Sequence, residues 1–474
     1  MDTSYIKFRK SRTVTGGDAN GGPKGTYVLT DGLKHDLLPR VRSEELASGL
    51  DRKYKIFLCY EDPNGDPLTD LEAYLKIPST GDDYQLIALA NHDDTQASLS
   101  TDPAIWMGSG TLNADPSGNS TVELVMESTE AMFEPGGELY LADTFMTGQT
   151  IDDGSIAGRP EVKPGDSCEL ISGSWRKADH DDYIYPNGYY IGGQVVMTIQ
   201  GSSQETFLTL ADNKTTDETI GTGDTTTSPA LTDLAAVTNG LFTRGDYKPV
   251  ITCVDGSAVT MTCYIEDDGS VSGDCTAGEI NADTGVWTTD ITWTAAPVGD
   301  INITYYDKNY SYSGNVATVE LAASCAYSFS TSNTYGAGVL QKSAIQAEWE
   351  DETVTSTSGT FDSSGGNLEM NPAGAEDDEV TVTFTGATAF SCSGSYLGSL
   401  GTGSTGSDFE PVNPNTGAAY FTLKAAAWSG TWSAGETVVF HMRPQAQGIW
   451  VREIVPSGAS EAANNYSRFE FWAA

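Results

Sequence analysis

Basic residues are scarce in this chain. Its 474 residues carry 25 Lys and Arg against 66 Asp and Glu, a formal net charge of −41. Eleven of the 25 lie in the first 55 positions beside seven acids, which leaves 14 basic and 59 acidic residues for the rest. A body of that sign repels phosphate, so nucleic acid is not expected to bind it directly. Long apolar runs are missing too. Nothing approaches the ~20 residues that a membrane-spanning helix needs. The N-terminus, Met1 to Lys10, is basic without an apolar stretch, so neither a membrane span nor a Sec signal is expected. The seven cysteines (Cys59, Cys168, Cys253, Cys263, Cys275, Cys325 and Cys392) are odd in number, scattered and free of C-x-x-C spacing. They read as isolated buried thiols of a protein folded in a cytoplasm, not as a disulfide framework.

Catalytic signatures are also lacking. Of four histidines, His35, His92 and His180 each precede an Asp, and His441 lies in a strand-like run. Neighbours in sequence point in different directions, so these are not His-Asp dyads. There is no H-E-x-x-H, no P-loop and no G-x-S-x-G, and the chain is not expected to be an enzyme. Helical heptads and long-period repeats are likewise absent.

What is present is β patterning. Tyr (22) and Trp (9) are plentiful, and 51 Gly punctuate the chain without a period, which suits half-buried strands better than helical bundles. Short runs recur between turn signals, as at 53–60, 71–77, 84–89, 121–126 and 379–385. The expected fold is mainly β: several antiparallel sandwich or barrel domains with an extended N-terminal arm. Residues 1–50 read as that arm, basic and Gly-rich, with a short helix begun by an N-cap at Ser43. Residues 51–210 read as a β-sandwich. Residues 211–310 read as a small β module entered through a Thr-rich linker at 211–229, with a short helix at 231–237. Residues 311–474 read as a C-terminal β domain that packs with 51–210.

Three groups stand out as candidate sites. Lys7, Phe8, Arg9, Lys10 and Arg12 combine apolar and basic side chains on a Gly-rich tether, a pattern suited to docking on a partner. The acidic runs Asp179, Asp181, Asp182 and Glu376, Asp377, Asp378 are candidates for Ca²⁺, since carboxylates bind hard cations; no other cofactor is indicated. Tyr185, Tyr189 and Tyr190 flank a Pro-Asn-Gly turn and could stack on a glycan. Trp428, Trp432 and Trp450 fit either a core or a binding platform.

Three passages resemble a known class of protein. Gly278-Glu279-Ile280-Asn281-Ala282-Asp283-Thr284-Gly285-Val286-Trp287, continuing through Pro297-Val298-Gly299 to Tyr305-Tyr306, resembles a small β module that recurs in tailed-bacteriophage virion proteins. Trp428-Ser429-Gly430-Thr431-Trp432 through Val438-Val439-Phe440, with Gly448-Ile449-Trp450 and Val455-Pro456-Ser457-Gly458, is similar to segments of structural proteins of Mu-like phages. The passage from Asp31-Gly32-Leu33 to Lys55-Ile56-Phe57 is of the same kind. The resemblance implies a non-enzymatic virion component of the head decoration, neck, tail or baseplate. It would be made in the host cytoplasm and anchored to other virion subunits, as a homo-oligomer in the particle. The alternatives are a glycan-binding fibre or adhesin module and, after that, a glycan-degrading enzyme.

Overall fold

The structure is a computed structural model. It describes residues 5–30, 36–62, 67–79, 81–101, 103–144, 147–153, 168–171, 174–177, 183–184, 190–200, 202–223, 226–331, 334–460 and 467–472, with residues 77 and 143–204 described by backbone alone. The fold is mainly β, in several antiparallel sheets, with one short α-helix among the described residues, at Ser43–Ser48. No helix among the described residues is long and apolar enough to cross a membrane.

Two sheets form a body. The first has five strands in the order Gly21–Val28, Ile6–Thr13, Leu50–Tyr60, Ala446–Val455, Tyr84–Ala90. Both of its faces are covered. Ile56, Leu58, Ile449 and Val451 share one cluster with Leu68, Leu71 and Leu340. Leu86, Ala88 and Trp450, on the opposite face, share another with Leu112, Val122 and Leu141. That two-sided burial explains why 56–60 is an unbroken apolar run rather than an alternating one. The second sheet has nine strands. Its main path runs Ser202–Thr209, Glu138–Thr144, Thr334–Ile345, Ser109–Leu112, Thr121–Met126, Val316–Glu320, Tyr310–Ser313. Leu68–Ile77 joins it at Thr334–Ile345 and pairs in turn with Arg468–Trp472.

Three further strand sets leave this body and return to it. The first lies between Thr147 and Gln200 and contains a parallel pairing of Cys168–Ile171 with Tyr190–Gln200. The second, between Lys214 and Tyr306, has a five-stranded sheet plus the hairpin Cys275–Asn281 and Val286–Trp293 around its own core of Ile220, Ile251, Cys263, Ile291, Trp293 and Ile303. The third, between Glu348 and Arg443, has a five-stranded sheet and two small ladders around Val382, Phe384, Phe390, Phe421, Trp432 and Phe440.

Several local expectations change. The N-terminal segment does not extend as an arm over 6–28: Ile6–Thr13 pairs with Leu50–Tyr60 on one side and Gly21–Val28 on the other. Gly21 and Gly22 hold positive φ (106° and 69°), and a Cβ on Gly21 would lie 2.7 Å from both the Asp94 carbonyl oxygen and the Trp450 ring. The glycines read as tether are therefore what lets the chain fold back against the body. The Thr-rich linker is likewise a strand, Lys214–Gly223, paired with Pro297–Tyr306 and anchored by the fully buried Ile220; β-branched Thr suits such an edge. Residues 231–237 form no helix. The helix at Ser43–Ser48 has Arg42, not Ser43, at its N-cap, where Glu45 accepts a 2.7 Å hydrogen bond from the Arg42 amide. Trp428, Trp432 and Trp450 are core residues, and Trp432 stacks on Phe384 at 4.2 Å and 6°.

Candidate functional site

Two groups that stand far apart in sequence, the basic cluster at 7–12 and the acidic run at 376–378, meet in space. Phe8 packs its ring 4.6 Å from that of Phe471. Arg9 pairs with Glu61 at 2.6 Å and donates to the Thr26 carbonyl. Lys10 lies 3.5 Å from Asp36 and 4.7 Å above the Tyr27 ring. Arg12 donates to the Asp377 carbonyl oxygen, and its guanidinium lies 3.9 Å from the Tyr396 ring centroid. Lys7 is half-buried and has contacts of its own. These side chains, expected to dock on a partner, are engaged within the chain because the hairpin brings acids and aromatic faces into their reach.

Asp377 is the hub. It is 1% exposed. Its carboxylate accepts from the Lys24 amide (2.8 Å), His92 Nδ1 (2.9 Å) and Arg443 Nη1 (2.8 Å). Arg443, 3% exposed, also donates to Glu350 at 2.8 Å and pairs with Asp93. Lys24 Nζ reaches Glu376 at 2.8 Å. Burial pushes the Asp377 carboxyl up, but the His92 hydrogen bond and charge, the Lys24 amide and the Arg443 guanidinium outweigh it and hold the group far below the usual carboxylate range. The second ring nitrogen of His92 faces the Ala446 carbonyl oxygen at 3.1 Å.

Beside this network, Lys55 is 1% exposed and donates to the carbonyls of Gly22 (3.1 Å), Asn91 (2.5 Å), His92 (2.8 Å) and Asp94 (3.0 Å). Burial lowers its ammonium to about 8. The network thus ties together the N-terminal hairpin, the turn after Tyr84–Ala90 and the third strand set. It borders a cavity of about 230 Å³ lined by Arg12, Asp93, Asp377, Asp378, Glu379, His441 and Arg443, among others.

The network forms a joint between these segments. Asp378 accepts from Ser395 Oγ at 2.6 Å and from the Tyr396 and Leu397 amides at 2.9 and 2.8 Å, which fixes a turn. Glu376, Asp377 and Asp378 are therefore taken by different protein donors and do not converge as a Ca²⁺ cage. Among the described residues no group of three or more His, Cys, Asp or Glu is placed to hold a metal ion. Asp179, Asp181, Asp182, Tyr185 and Tyr189 lie outside the described residues, and Tyr190 is described by backbone alone, opening the strand Tyr190–Gln200.

Lys24, Glu350 and Arg443 were not marked by any motif. The one sequence signal was scarcity itself: in a chain this poor in cations, each basic residue had a high chance of being committed to an acid. Comparison of the chain with protein-family models, with curated proteins and with solved structures finds no match in any of the three.

Proposed function

We propose that this chain is a non-enzymatic structural subunit of a tailed-phage particle, made in the host cytoplasm and built into the head decoration, neck, tail or baseplate beside other virion subunits. The observation that carries the reading is the exposed end, residues 26–28, of the edge strand of the five-stranded sheet. Gly21–Val28 ends that sheet, and Tyr27 and Val28 are 53% and 40% exposed there, with Val14 nearby in sequence at 48%. An exposed edge-strand end that carries Tyr and Val is a pairing surface that a free-standing protein would normally blunt, and a second chain can extend such a sheet through main-chain hydrogen bonds. The phage-like passages support the same reading: one forms the hairpin of the second strand set and the strand Pro297–Tyr306, and another supplies Ala446–Val455 of the body.

In this reading the N-terminal segment anchors the subunit as a folded hairpin, through its outer edge, while its cations serve the joint inside. The test is quantitative mass spectrometry of purified particles from cells carrying wild-type or Tyr27→Asp/Val28→Asp chains. Wild-type chain should be present in stoichiometric amount. The double variant should fold, with a melting temperature lowered only by loss of the Tyr27 contacts with Lys10 and Asp36, and fail to incorporate. Particles that lack the wild-type chain would retire the proposal, and full incorporation of the variant would retire the edge as the anchor.

A further inference from the structure

A second cavity, of about 380 Å³, lies where the second strand set leaves the body. Trp106, Glu130, Arg244, Lys308, Tyr310 and Tyr312 line it. Its size falls within the range of small-ligand sites, and three features make it a built site. First, aromatic side chains meet there. Trp106 and Tyr310 are each only 6% exposed, and the Tyr310 ring sits edge-on to Phe133 at 5.4 Å and to Tyr312 at 5.9 Å. Second, donors are left over. Neither the Tyr310 hydroxyl nor Trp106 Nε1 hydrogen-bonds to a described residue, and both side chains line the cavity. Both donors are open to a ligand that accepts from them in place of water.

Third, the local charge runs against the chain. Arg244 uses Nε on Asp267 (2.9 Å) and Nη1 on the Ala104 carbonyl (2.9 Å), which leaves Nη2 for a ligand. Lys308 Nζ comes no nearer than 4.0 Å to Asp283, a residue whose side chain is 87% exposed. The acids at hand are already held: Glu130 pairs with Arg452 at 2.5 Å, and Asp267 with Arg244 and Thr243. Two cations with spare donors therefore face a cavity in a protein of net charge −41.

The geometry points to a binding site for an acidic sugar, a carboxylated hexose unit of the uronic or sialic type. Its carboxylate would meet Arg244 and Lys308 through charge-assisted hydrogen bonds. Its hydroxyls would accept from Tyr310 and Trp106, and its C–H face would lie against the aromatic rings. Simple anions match the cations but leave the aromatic walls unused, and neutral sugars match the walls but leave the cations unpaired. The site is independent of the sheet edge at Tyr27 and can fail or stand separately from the role in assembly.

The test is calorimetric titration of the full chain with glucuronate, galacturonate and N-acetylneuraminate, with glucose and acetate as controls, repeated on Arg244→Gln, Lys308→Met and Tyr310→Phe. At least one acidic sugar should saturate. Loss of one charge-assisted contact should weaken it about tenfold in the first two variants, and loss of the hydroxyl about threefold in the third. Melting temperatures of Lys308→Met and Tyr310→Phe should match wild type, since the Lys308 ammonium and the Tyr310 hydroxyl hydrogen-bond to no described residue, while Arg244→Gln, which gives up its bonds to Asp267 and the Ala104 carbonyl, should melt lower and still fold. The inference is overturned if no acidic sugar saturates by about 20 mM, if glucose or acetate binds as tightly, or if folded Arg244→Gln and Lys308→Met bind like wild type.

Discussion

Replacing Asp377 by Asn keeps the shape of the joint and removes the charge at its centre. The carboxylate is 1% exposed and accepts three hydrogen bonds, from Lys24, His92 and Arg443. Breaking a buried ion pair by removing one partner costs ~3–5 kcal/mol, mostly from the charge left behind. Here Arg443 keeps Glu350 and Asp93, so the loss should fall to about 2–3 kcal/mol at pH 7. The carboxyl titrates below its unfolded value. Between the two values the unfolded chain binds more protons, so stability falls as the pH is lowered. The advantage of wild type over Asp377→Asn should therefore be full above the unfolded value near ~4 and shrink below it. Urea denaturation followed by tryptophan fluorescence at pH 7 and pH 3 measures both quantities. Hydrogen exchange should also quicken in Gly21–Val28 and Asp378–Phe384, because Asp377 is bonded to the first and adjoins the second. A variant within ~0.5 kcal/mol of wild type at pH 7, the scatter of an ordinary surface change, would refute the view that this network holds the hairpin to the third strand set. So would a gap that does not narrow at pH 3.

Glu134 has the opposite sign. Burial, with Asp246 adding to it, pushes its carboxyl up to about 7, so the folded state holds a proton that the unfolded state has lost. Stability from this group is full below ~4.5 and is lost as the pH rises through 7. Solvent access at a half-buried carboxyl reduces the effect to ~1 kcal/mol, and Glu134→Gln should raise the melting temperature at pH 8 while leaving it unchanged at pH 5; an equal pH slope in the two proteins would count against the assignment. Burial pushes the thiols of Cys59 and Cys392 up to about 12 and that of Cys253 up to about 11, and Cys275 is the half-buried one of the six cysteines whose side chains are described. Iodoacetamide at pH 8 should modify Cys275 well before Cys59 or Cys392 in the native protein, as peptide mapping would show, and labelling of Cys59 at its urea-denatured rate would contradict the packing.

The β class and most strand positions were legible because strand formation rests on local patterning, as at Thr121–Met126, where Val122, Leu124 and Met126 alternate with more exposed neighbours. Two segments misread by composition show the limit of that signal. Gly21–Val28 and Lys214–Gly223 are rich in Gly and Thr and have few apolar residues, so nothing local marks them as strands. Each is recruited by a neighbour already in place, Ile6–Thr13 in one case and Pro297–Tyr306 in the other. The joint was half legible: Arg12 and Asp377 were both marked, but not as neighbours, because sequence shows a donor but not the carbonyl 365 residues away that accepts from it. The sugar cavity had no signal at all. Trp106, Arg244 and Tyr310 come from three separate loops and strands, and only the return of the second strand set to the body brings them together.

The distribution of cations joins these results. With 25 basic residues against 66 acids, a cation left without an acid is improbable by chance, and the interior shows them committed. Arg12, Lys24 and Arg443 converge on the 376–378 run, Arg52 pairs with Glu453, and Arg452 with Asp51 and Glu130. Each of these pairs links segments that lie far apart in the chain, so the cations act as cross-links in a body whose surface charge is repulsive. Lys308 departs from that pattern. It faces a cavity, and its nearest carboxylate is 4.0 Å away on an exposed loop. A structural cross-link accounts for the first group and not for Lys308. The same acid excess that keeps copies of the body apart in solution would make a cationic, aromatic-walled cavity selective, since anions would be turned away elsewhere on the surface and retained only there.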